Sequence, residues 1–406
     1  MRAVRFAAAI LFLATSLLAA AGWADRGEYD LAMAVRAEAS APRKLELLDQ
    51  WKQRYPDSGM SQARRELYLA AYLTQGDAPH ILEVAREMLA AEPANFVGLY
   101  WSALLVPEAK EATPELWDQG EKSARALLAF TPDKKPDGLS DAEWQARKDS
   151  VELLSHRTLG WIAWQRGDHP SAERDFTAYL TKHPNSAEIS GWLGIVTGLQ
   201  NSPEKKQAAL WHLARAAALR DEGALPEEPR RQMAMLSERT YLSYHGNTDG
   251  LDQIQGAAKA AAFPPADFKV ESAAAIAARL AEEELNRTNP ELAAWMRIRK
   301  QLDTPDGDAW FAQNLKGQPL PKLKGVLIRT SPAKKPNELV LAISSPAEEE
   351  VVIQVSTPYR NEADAGATLE FTAKAESFSR QPFRLTVSAD PSQIDGWPEP
   401  ATRTRR

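Results

Sequence analysis

Histidine, serine and acid side chains would carry any proton-transfer or hydrolytic chemistry, and their spacing in this chain arms few such sites. Six histidines stand at positions 80, 156, 169, 183, 212 and 245. No two sit one helical turn apart with an acid between them, as a helix-borne metal site of the H-E-x-x-H kind requires. Cysteine is absent, which removes thiolate nucleophiles, thiolate metal sites and disulfides together. Neither a Gly-x-Ser-x-Gly elbow nor a glycine-rich phosphate loop occurs. Ser202-Pro203-Glu204-Lys205 matches the Ser-x-x-Lys of penicillin-binding serine enzymes, and Ser331-Pro332-Ala333-Lys334 repeats the spacing. Their companion Ser-Asp-Asn and Lys-Thr-Gly elements are missing. Ser202 is better read as a helix N-cap with Pro203 in the first turn. His245 lies at a break beside Tyr244, Gly246 and Asp249. There a hydrolase without a recognised motif could gather titratable groups, or Gly246 could simply end a helix in the left-handed conformation. No catalytic residue, cofactor or metal site is expected.

The elements that would have to position any site can be read from composition and period. The chain has 406 residues, 44% of them apolar, enough for two or more domains with real cores. Its 49 basic against 55 acidic residues give a formal charge of -6. This is not the basic footprint of a nucleic-acid binder. Residues 1–24 read as an export leader. Arg2 and Arg5 precede an apolar run from Phe6 to Ala21, and Gly22-Trp23-Ala24 offers small residues at −3 and −1. Cleavage between Ala24 and Asp25 is expected, the alternative being an uncleaved anchor. The run is short for a membrane span, which needs about 20 residues. The expected destination is the periplasm or the exterior, with no membrane span after cleavage.

From 25 to 264 the apolar period is helical and the pattern repeats. Leu159-Gly160-Trp161-Ile162-Ala163-Trp164 is followed by Gly167-Asp168, then by Ala172, Phe176 and Tyr179, then by Pro184. The glycine permits close backbone approach, Gly167-Asp168 makes a turn, and the i, i+4, i+7 series is the inward stripe of a second helix that Pro184 ends. Leu193-Gly194 repeats Leu159-Gly160, and Ala209, Leu213 and Ala216 follow after about three extra residues near Asn201-Ser202-Pro203. Upstream, Gly76-Asp77 with Ala85, Met88 and Pro93 marks another unit, and about six pairs can be traced. This layout resembles the tetratricopeptide repeat, whose period is about 34 residues. The resemblance implies an α-α superhelix (a TPR-like solenoid) with a groove that takes peptides or partner helices. Repeat geometry then puts Arg157, Trp161, Trp164, Ser190 and Ile195 in the groove as partner-binding residues.

Two helices near 271–287 and 290–302 read as a cap within a 265–320 linker region. From 321 to 400 the period becomes 2. Leu323–Arg329, Glu338–Ile343, Val351–Val355, Leu369–Ala375 and the Phe383, Leu385, Val387 run make five expected strands. They predict a small antiparallel β domain, either a sandwich or an OB-like barrel. It carries nine basic against eleven acidic residues, and 337–357 holds no aromatic ring, so oligonucleotide binding is not expected. Residues 401–406, with Arg403, Arg405 and Arg406, read as a disordered tail. The whole reads as mainly α, a non-enzymatic protein-binding scaffold of the bacterial cell envelope. Other proteins or peptides are its expected partners, and its oligomeric state is open. The alternative is a periplasmic chaperone-like factor. The order of repeats then β domain is similar to the cytochrome c maturation subunit that receives apocytochrome, although no transmembrane pair precedes the repeats here.

Overall fold

A computed structural model describes residues 22–109, 113–130, 135 and 138–398. The expected leader up to residue 21, the 401–406 tail and most of the 133–138 loop lie outside these. The chain divides after Val270 into two compact units.

The first unit holds twelve α-helices among the described residues, grouped by sequence as six successive pairs. They are α1 (Arg26–Ala37) and α2 (Ala41–Arg54), α3 (Ser61–Gln75) and α4 (Ala78–Ala91), then α5 (Phe96–Leu105) and α6 (Pro114–Ala129). After them come α7 (Asp141–Gln165) and α8 (His169–Lys182), α9 (Ala187–Gly198) and α10 (Pro203–Ala218), and α11 (Glu227–His245) and α12 (Leu251–Ala260). From α1 to α11 each helix packs on the next, and α12 packs on α10. The starts follow from local chemistry. Asp77, Asp168 and Ser202 are N-caps whose side chains accept a backbone N–H in the first turn, each with proline at the start of the helix. Ser140 closes a capping box with Glu143. Gly76 and Gly246 end α3 and α11 at φ of +70° and +95°, a conformation that costs a side chain.

Two glycines set how closely helices meet. A Cβ at Gly160 would lie 2.5 Å from Phe176 Cε1 of α8, and one at Gly194 would lie 2.9 Å from the Leu213 backbone nitrogen of α10. The Leu-Gly pairs are thus the contact points of α7 with α8 and of α9 with α10. The turn between α9 and α10, which includes Asn201 at φ +56°, is only one residue longer than that between α7 and α8, and the extra residues lengthen the start of α10. Arg215, 1% exposed, ties three segments together. It donates to the Pro184 carbonyl at 2.8 Å and to those of Lys259 and Ala261 at 3.1 and 3.0 Å, and also to Ala258 O.

The second unit begins with α13 (Ala273–Thr288) and α14 (Pro290–Leu302). The short α15 (Gly307–Trp310) and a π-helical turn (Phe311–Leu315) follow, leading into β1 (Leu323–Ser331). Trp295, Ile298 and Leu302 of α14, with Phe311 and Leu315, sit in one core with the strands. The apolar stripe of α14 is thus buried within the sheet unit. Beyond β1 come β2 (Glu338–Ala342), β3 (Val351–Val355), β4 (Thr368–Phe371), β5 (Lys374–Arg380), β6 (Phe383–Ala389) and β7 (Ile394–Asp395).

The five expected antiparallel strands are therefore corrected to seven in a mixed sheet of order β5-β6-β3-β2-β1-β4-β7, with β3 and β6 parallel. One sheet is not a sandwich, nor is it a closed barrel, since no ladder joins β5 to β4 or β7 among the described residues. The segment read as one strand from Leu369 to Ala375 is two. β4 pairs with β1 and β5 with β6, separated by Thr372 and Ala373 alone. Two linking residues span at most about 11 Å between Phe371 and Lys374. The sheet must therefore roll until its far strands are near neighbours.

Glu350, 1% exposed, fastens α14 to the sheet. Its carboxylate accepts from Trp295 Nε1 at 3.3 Å, Arg299 Nη1 at 2.5 Å, Ile343 N at 2.6 Å and Ser344 N at 2.5 Å. Burial pushes its pKa up, and these donors outweigh that and hold it below the usual glutamate range.

Candidate functional site

The expected groove residues fall on two helices whose exposed stripes are parallel. On α7, Arg157, Trp161 and Trp164 stand at i, i+4 and i+7 and are each half-buried. On α9 the matching stripe is Glu188, Trp192 and Ile195, again half-buried. Arg157 joins the two. Its Nε donates to Glu188 at 3.0 Å and its Nη2 to Glu108 at 2.7 Å, while the guanidinium lies 5.1 Å from the Trp192 ring centroid. Glu108 belongs to the 3-10 turn after α5. One side chain thus links the first helices, or their ends, of three successive pairs. Trp192 in turn meets Phe176 at 5.6 Å and Trp164 at 6.3 Å between ring centroids.

The electrostatics follow from this geometry. Burial disfavours the charge on Arg157, but Glu188 and Glu108 overcome it and raise its pKa. With its side chain only 13% exposed and both carboxylates engaged, Arg157 positions the neighbouring rings. Glu108 and Glu188 stay 55% and 42% exposed, so the water-facing charge here is acidic.

Ser190 does not belong to this face. It is fully buried and its Oγ has no hydrogen-bond partner among the described residues. At 100° per residue it lies well off the Glu188–Trp192–Ile195 line, so the groove assignment of Ser190 is corrected. Sequence reading also passed over Glu188 and Trp192 as members of the face. The i, i+4, i+7 series through Ile195, parallel to the one on α7, was the signal for them.

The motifs that could have carried chemistry are occupied in structural ways. Ser202 Oγ accepts from the Lys205 backbone N–H at 3.2 Å, and Lys205 Nζ turns to Glu173 at 2.5 Å. Ser202 is therefore a cap, and the lysine amine is paired away from it. His245 lies in the last turn of α11, against the Tyr241 ring at 5.1 Å, with Gly246 as the left-handed end. Among the described residues no group of three or more His, Cys, Asp or Glu side chains could hold a metal ion, and no helix is long and apolar enough to cross a membrane.

On the sheet unit, an open groove of about 670 Å³ runs past Glu338, Gln354, Ser356, Lys374, Ser388 and Asp390. Ser356 Oγ is 2.9 Å from Asp390 and Ser388 Oγ 2.5 Å from Glu376. Both hydroxyls bond carboxylates, and no imidazole lines the groove to act as a base. No protein-family model matches the chain, and no curated protein matches it.

Proposed function

We propose that the helical unit is a non-enzymatic scaffold of the bacterial cell envelope, its pairs stacked as a superhelix of units resembling tetratricopeptide repeats. A peptide or helix of a partner protein lies along the stripes of α7 and α9. The observation that carries this reading is Arg157. It is buried between Glu108, Glu188 and Trp192, and it holds half-exposed tryptophans from consecutive pairs in one row. Aromatic rings fixed in this way lose little entropy on binding, which is what makes Trp and Arg frequent anchors at interfaces. The exposed Glu108 and Glu188 favour a partner whose apolar segment is flanked by basic residues.

The test is cross-linking and capture from envelope extracts with the whole chain, in parallel with Trp161→Ala and Trp164→Ala. Discrete partners enriched by the wild type and reduced at least tenfold by either variant are expected. Capture unaffected by both variants would remove the site from this face. A broad set of unfolded clients would point to the chaperone-like role instead.

A further inference from the structure

The junction expected between Ala24 and Asp25 meets an obstacle in the fold. Trp23 is half-buried against the core of the first unit. Its ring stands edge-on to Tyr29 at 5.5 Å and tilted over Trp51 at 6.2 Å. The Ala24 backbone N–H donates to Glu28 at 2.7 Å, and Glu28 is wholly buried. That carboxylate also accepts from Trp51 Nε1 at 2.8 Å and from Ser58 Oγ. Even Gly22 is placed, its carbonyl 3.2 Å from where a Cβ on Gly59 would stand. Residues 22–24 are therefore the entry of α1 and part of its packing.

An Asp25 start would remove all of this. It would uncover the Trp51 ring and take a donor from Glu28. It would also set a free ammonium on the N-cap of α1, at the positive end of the helix dipole. The sequence offers a second register with the same chemistry. Ala19 and Ala21 supply small residues at −3 and −1 for hydrolysis of the Ala21–Gly22 bond. We infer that signal peptidase cuts there, adding water across that peptide bond, so that Gly22-Trp23-Ala24 remains as a structural N-terminal clasp on α1 and α2. This rests on the reading of the chain as an exported protein.

The whole chain is expressed with its leader in a Gram-negative host, and the product in the periplasm is read by intact mass and N-terminal sequencing. A chain beginning at Gly22 is expected, and Ala24→Leu, which spoils the −1 position of the alternative junction, leaves that product unchanged. A chain beginning at Asp25 overturns the inference while leaving export intact. An uncleaved chain retained in the cell overturns both, so the two failures are distinguishable. Independently, Trp23→Ala in a chain begun at Gly22 is expected to lower the thermal midpoint of the helical unit by several degrees. An unchanged midpoint would show that the clasp contributes nothing to the fold.

Discussion

His212 sits at 3% exposure on α10, one turn before Arg215, with its Nδ1 unpartnered among the described residues and Phe263 edge-on at 5.8 Å. Burial, reinforced by the Arg215 charge, brings its pKa down to about 3. The imidazole is therefore neutral in the fold throughout the ordinary range, while the unfolded chain takes up a proton below about pH 6.5. A group whose pKa is depressed on folding makes the folded state lose stability as pH falls. The slope approaches about 1.4 kcal/mol per pH unit below the unfolded value. Urea unfolding should show that loss between pH ~6.5 and ~5, above the range where carboxylates titrate. His212→Leu should flatten the dependence in that window. An equally steep wild-type and variant response would mean that the imidazole is hydrated or otherwise paired.

The helix contacts depend on residues small enough to let two backbones meet. In an exposed helix, alanine in place of glycine gains up to about 1 kcal/mol. At Gly160 the new methyl would run into Phe176, which is itself fully buried. Gly160→Ala is expected to destabilise the helical unit by about 1–3 kcal/mol, the usual range for overpacking. A neutral or stabilising change, measured by chemical denaturation, would mean that α7 and α8 can slide apart at no cost. This contact was legible in the sequence because Leu-Gly and its covering Phe or Leu lie within one local repeat. The cap at Ser202 was legible for the same reason. The sheet was less so. Leu369, Phe371, Ala373 and Ala375 are all buried, so the alternation of period 2 runs unbroken across Thr372-Ala373. Alternation reports which face is covered, not which neighbour is hydrogen-bonded, and the partner changes from β1 to β6 within that run. Pairing of β3 with β6 joins distant segments and leaves no local trace. Ser190 failed for a simpler reason, since a small polar residue next to a groove stripe reads the same whether it faces water or a neighbouring helix.

The two units have separate cores, so each is expected to unfold in its own cooperative transition. Trp295 is fully buried and joins α14 to the sheet through Glu350. Trp295→Ala should cost the sheet unit about 3–5 kcal/mol and leave the helical transition in place. Gly160→Ala should do the reverse, and calorimetry of both variants would separate the assignments. A single transition shifted by either variant would instead mean that the units fold as one.

The strand order also has a consequence in time. Helices that pack on their immediate successors can assemble as the chain emerges during synthesis. The sheet cannot, because Val351 pairs with Leu385 and Leu323 with Phe371. β6 stands between β3 and β5 yet is translated after both. A ribosome halted before Phe383 would hold a chain whose helical pairs are complete and whose β5 has no ladder to join. The sheet is thus finished only after β6 and β7 have emerged, and a frameshift or stop before Phe383 would ruin that unit while sparing the other.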